Sequence, residues 1–118
     1  MFELANITEI NRNQGHAAGN RLIHDFSEIL TRTSVDLCFV GRNGGNKFLA
    51  IFENSTPHQM DLLLERVAHK MEQYNENTDH ETALYQYGLS HNGEDHAASL
   101  TELIALANSR ITSANQES

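Results

Sequence analysis

The chain has 118 residues, 39 % of them hydrophobic and 20 % charged, with eight Lys and Arg against sixteen Asp and Glu and a formal net charge of −8. That is one domain of ordinary size, long enough to bury a core without a disulfide or structural metal. Its acidity excludes the broad basic face that nucleic acid or an anionic membrane surface requires. Cys38 is the single cysteine, so no intramolecular disulfide can form and a reducing, cytoplasmic setting is expected. No apolar run nears the ~20 residues of a membrane span, and residues 1–15 lack the basic start and apolar middle of a signal peptide.

Met1 to Ala5 reads as the end of a strand, with a loop through Asn11–Gly15 after it. From Gly15 to Thr33 the apolar residues Leu22, Ile23, Phe26, Ile29 and Leu30 recur at the spacing of an amphipathic helix. Val35–Val40, rich in β-branched and aromatic residues, predicts a strand, and Lys47–Phe52 the strand that returns beside it. Between them Gly41–Asn46 has the composition of a tight turn, since Asn-Gly supplies the positive φ angles a hairpin needs.

Ser55-Thr56-Pro57 predicts a helix start, a hydroxyl cap ahead of an early proline. The helix carries Met60, Leu63, Leu64, Val67, Ala68 and Met71 on one stripe, read as core, and gives way to the polar run Tyr74–His80. A strand is predicted over Thr82–Ser90 and a loop over His91–Ala98. Ser99-Leu100-Thr101-Glu102 then forms a capping box that opens a last helix, with a polar, fraying tail from Thr112. The order β-α-β-β-α-β-α defines an α+β, ferredoxin-like chain. Its first six elements form an antiparallel sheet with two helices packed on one face. The central hairpin joins an edge strand to an inner one, so its turn sits at the rim, with backbone N–H groups free to face a ligand.

At that turn Arg42-Asn43-Gly44-Gly45-Asn46-Lys47-Phe48 resembles the R-x-G-G-[D/E]-E-F hairpin of the GGDEF family, the diguanylate cyclases. The segment from Ile10 to Asn20 is similar to the family's I-N-D-x-x-G-H-x-x-G-D block. Gln86-Tyr87-Gly88 falls where the family has S-I-G, and Leu103-Ile104-Ala105-Leu106-Ala107-Asn108 resembles its L-L-x-x-A-D helix. The likeness runs from Glu3 to about Ala114. The family's D-x-L-T-x-L-x-N-R segment ahead of the opening strand has no counterpart, so residues 1–118 are read as one degenerate domain lacking its N-terminal part, a fragment of a longer signalling protein.

The resemblance implies a nucleotide-cyclase-like fold. In active members two domains, each holding a GTP, meet to make cyclic di-GMP, and Mg²⁺ held by carboxylates polarises the triphosphate. Carried over residue by residue, the first metal carboxylate is matched by Glu3, a vestigial ligand one methylene longer. The second falls at Asn46, whose amide has no charge, and the neighbouring acidic position at Lys47, a cation. The guanine-reading pair falls at Asn11 and Asn20, the latter replacing an Asp, and the glycines of the nucleotide-binding turn at Gly44 and Gly45. The phosphate-binding Lys of the last helix falls at Asn115, and the product-binding R-x-x-D at Val35 and Cys38. Losing one electrostatic contact of this kind costs roughly 3–4 kcal/mol, so a rate loss beyond ~10³-fold follows.

Plainer readings stand beside these. Gly44-Gly45 serves any hairpin, and Lys47 is also an ordinary edge-strand lysine that discourages sheet pairing. The seven histidines lack ligand spacing and read as surface residues. Cys38 reads as a buried strand residue, not a nucleophile. The expected function is a non-catalytic regulatory domain in bacterial cyclic di-GMP signalling that acts through protein contacts; a second reading is a residual sensor with weak binding of GTP or a related purine nucleotide and no turnover. Its expected partners are other domains of a longer protein, or a second copy. The alternative is an active diguanylate cyclase with a non-standard metal site, the one case in which Mg²⁺ is required.

Overall fold

The computed structural model describes residues 1–53, 57–77, 80–91, 95 and 99–117, with only the backbone described at 57 and 112–117. Its elements are β1 (Phe2–Leu4), α1 (Ile7–Gln14), α2 (His16–Ser34), β2 (Phe39–Arg42), β3 (Lys47–Ile51), α3 (Pro57–Glu76), β4 (Tyr85–Tyr87) and α4 (Leu100–Glu117). The strands form one four-stranded antiparallel sheet in the order β2-β3-β1-β4. This is the α+β arrangement the sequence predicts, with the hairpin joining an edge strand to an inner one.

Alternation along the strands decides what each face buries. Phe2, Leu4 and Phe48 point to the side of α2 and α3 and meet Leu22, Phe26, Leu30, Leu63, Val67 and Met71 in the main core. Phe26 is the hub of that core, with ring centroids 6.1 Å from Phe2, 5.3 Å from Phe48 and 5.7 Å from Tyr85. The α3 stripe is core at Leu63, Val67 and Met71, while Ala68 faces solvent. The opposite face is covered by α4, whose Ala107 and Ile111 pack on Met1 with Leu49 and Ile104 alongside.

One helix that the sequence reading lacked, α1, and three boundaries differ from that reading, each for a local reason. Residues 11–14, expected as loop, complete α1, which buries Ile7 and Ile10 and stops at Gly15, where φ is +92°. β2 begins at Phe39 instead of Val35, because the Leu37 and Cys38 amides donate to the Ser34 carbonyl and finish α2 (2.9 and 3.1 Å). Cys38 therefore precedes the strand and is half-buried, and desolvation pushes its thiol up to about 11, which leaves it inert near neutrality.

β4 spans three residues instead of nine, and at its N-terminal end two asparagine side chains take the backbone groups that a longer ladder would use. Asn6 receives the Leu84 N–H and donates to the Thr82 carbonyl (3.1 and 2.7 Å), and Asn75 makes the same paired bonds with Ala83 (both 2.9 Å). At the other end of the chain, α4 runs on to Glu117 and takes in the tail expected to fray. Its Ser99 hydroxyl accepts the Glu102 N–H at 3.2 Å, as the capping box predicts. The Ser55-Thr56 cap lies outside the described residues.

Phe26→Ala removes the ring that three others pack against and is expected to lower unfolding free energy by about 3–5 kcal/mol in urea denaturation. A loss under about 1 kcal/mol would mean that the core is not centred on this residue.

Candidate functional site

The hairpin turn and the C-terminal end of β1 meet at one rim of the sheet. Gly44 and Gly45 adopt positive φ (+88° and +53°), which a glycine pair tolerates without strain. The turn closes through Asn43 N–H to the Lys47 carbonyl (2.8 Å) and Lys47 N–H to the Gly44 carbonyl (3.0 Å). The Arg42 guanidinium is spent on the same turn, donating from Nε and Nη2 to the Gly45 carbonyl (2.9 and 2.6 Å).

Asn46 and Lys47 diverge, as alternation requires. Asn46 is stapled to β1: its carbonyl accepts the Leu4 N–H at 3.0 Å, and its Nδ2 donates back to the Leu4 carbonyl at 2.5 Å. Lys47 lies opposite Glu3 in the ladder and, like Glu3, faces α4. Its ammonium donates to Asn108 Oδ1 at 2.7 Å and sits 3.7 Å from Glu3 Oε2. Gln86, the other cross-strand neighbour of Glu3, donates to Glu3 Oε1 at 2.8 Å. Glu3 is thus held by a cation and an amide at once.

These donors do not fit Mg²⁺. The ion takes oxygen ligands, yet the Asn46 amide nitrogen is committed to the Leu4 carbonyl and Lys47 brings a positive charge to the Glu3 carboxylate. Among the described residues no group of three or more His, Cys, Asp or Glu side chains could hold a metal ion.

Beside the rim, β1 leads within three residues into α1, and α1 turns at Gly15 into α2. Asn11 lies on α1 against Gly19 of α2, so close that a Cβ at Gly19 would meet Asn11 Oδ1 at 1.8 Å. That oxygen is buried without a hydrogen-bond partner, and Asn20, one residue on, is exposed. The helix pair therefore carries the expected base-reading residues on adjoining turns. Asn115 has no described side chain. Val35 is 79 % exposed in the turn ahead of β2, where no cation accompanies it in the sequence from Val35 to Cys38.

Gln86, Asn108 and Gly19 carry roles that the sequence reading did not assign. The signal for Gln86 is its place opposite Glu3, which only the register reveals. Of the histidines, His80 is half-buried: its ring stacks on Tyr74 at 3.8 Å and its Nε2 is buried without a partner, while His96 lies outside the described residues. A cavity of about 480 Å³, mostly apolar, lies at the other end of the sheet, between β3 and the first half of α4.

A split βαβ sheet with a glycine hairpin at its rim defines the nucleotide-cyclase-like class. The family profile described as "Diguanylate cyclase, GGDEF domain" matches residues 1–118, and the chain belongs to that family. Among solved structures it is similar to the active GGEEF domain of a diguanylate cyclase from Vibrio cholerae. The identity is 18 % and the TM-score 0.79, over 98 % of this chain and 74 % of that one, a likeness of fold. No curated protein matches the chain in sequence.

Asn46→Ala is expected to cost about 1 kcal/mol by removing the bond to the Leu4 carbonyl. Asn46→Asp is expected to cost more in metal-free buffer at pH 7, because it sets a carboxylate against that carbonyl. Urea denaturation of both variants checks the order, and an Asp variant more stable than the Ala variant would contradict the staple.

Proposed function

We propose that this chain is a non-catalytic signalling domain of the GGDEF family, which binds a purine nucleotide without metal and does not turn it over. The observation that carries this reading is the Lys47 ammonium between Glu3 and Asn108. With carboxylates at the two signature positions the rim would gather three negative charges for a metal to neutralise. With Asn46 and Lys47 the charges of Glu3 and Lys47 cancel. In this reading the domain acts in the cytoplasm through other domains of a longer polypeptide.

Retained nucleotide binding is supported by Asn11. A buried amide oxygen without a partner costs about 1–3 kcal/mol, and native structures keep few of them. A ligand that reorients the amide gives it one. The exposed Asn20 beside it offers both a donor and an acceptor to a purine edge, and the part-exposed Lys47 ammonium can exchange its neutral Asn108 partner for a phosphate oxygen.

Two measurements test the proposal. GTP at about 100 times its Kd is expected to add about 2.7 kcal/mol of stability in EDTA, with the effect shrinking as salt rises. Incubation with GTP and Mg²⁺ or Mn²⁺ is expected to yield no cyclic di-GMP by mass spectrometry. Stabilisation that requires Mg²⁺, or product formed at a steady rate, would support an active cyclase with a non-standard metal site instead.

A further inference from the structure

We infer that Lys47 is a latch between the hairpin site and α4, so that an anionic ligand at the rim loosens α4 from the sheet. The inference rests on the reading that this site takes a phosphate-bearing ligand. The Lys47 ammonium ties strand β3 to the middle of α4 through Asn108 (2.7 Å), yet 32 % of its side chain stays exposed and reachable. A phosphate oxygen is a stronger partner for an ammonium than a neutral amide oxygen, because both sides of the bond are charged. A polyphosphate at the rim also repels Glu3, the other group that holds Lys47 in place. Both effects draw the ammonium away from Asn108.

α4 is the element able to respond. Its middle is seated tightly: Ala107 and Ile111 are buried, and the Ala107 carbonyl lies so near Gly88 that a Cβ there would meet it at 2.0 Å. Its first turns, with Leu100, Leu103 and Ile104, border the cavity of about 480 Å³. Further polar ties among the described residues run to the segment after β4: Ser90 Oγ donates to the Leu103 carbonyl (2.7 Å), and the Arg110 guanidinium clasps Asp95 (2.7 and 2.9 Å). The Lys47–Asn108 bond ties α4 to the hairpin strand. By reciprocity, whatever frees α4 must also raise the affinity of the rim for the anion.

Hydrogen exchange on the 118-residue protein tests the latch with and without ligand. Lys47→Met and Asn108→Ala cut the bond from opposite sides. In EDTA, each is expected to speed exchange of α4 amides about tenfold while β1 and β3 amides stay unchanged. If neither variant moves α4, the latch is wrong whatever the site binds. Inorganic tripolyphosphate is then the probe. At saturation it is expected to speed α4 exchange in the unmodified protein by a similar factor, and Asn108→Ala is expected to bind it about tenfold more tightly. Tripolyphosphate that binds but leaves α4 exchange unchanged or slower would overturn the coupling while leaving nucleotide binding intact. Failure of both proteins to bind tripolyphosphate would overturn the coupling and the phosphate-binding reading together.

Discussion

The register that sets Glu3 opposite Lys47 and Phe2 opposite Phe48 divides the chemistry of the domain between two faces. A slip by one residue would drive Glu3 and Lys47 into the aromatic core around Phe26 and turn Phe2 and Phe48 toward α4. The same register brings Gln86 to the other side of Glu3. The one acidic group at the rim is therefore flanked on both sides by nitrogen donors. The Glu3 carboxylate has its counter-charge within the fold, and the proposed non-catalytic function is built on that.

Asparagine amides finish what the short strands leave open. Asn46 extends the β1–β3 ladder past Leu4, and Asn6 and Asn75 hold residues 82–84 where β4 has not yet begun. An amide carries a donor and an acceptor at the spacing of a peptide group, so it serves as a piece of strand without a strand's length. In the proposed reading Asn46 stands where a metal-binding carboxylate would be, and its amide is instead a structural bond to the Leu4 carbonyl.

The hairpin and the α2 and α3 stripes were legible in the sequence because each rests on local periodicity or on turn chemistry. The strand ends were not. The β-forming run at Val35–Leu37 lost to the need of α2 for a C-terminal partner, and that at Thr82–Leu84 lost to Asn6 and Asn75, bonds that span about 80 and 8 residues of sequence. At the site, Glu3, Asn46 and Lys47 were found through a motif. The divergence of Asn46 and Lys47 follows from strand alternation alone. That Lys47 closes on Asn108, 61 residues away, depends on where α4 docks. Gly19 gave no signal beyond its place in the family-like block, since its role is to leave room for Asn11.

The most direct test of internal charge balance at the rim is isothermal titration of Mg²⁺ and Mn²⁺ into the nucleotide-free protein. No heat of binding is expected for either ion up to millimolar concentration, because Lys47 already holds Glu3. Stoichiometric binding that disappears in Glu3→Gln would show that the carboxylate is free for a metal and would contradict the account.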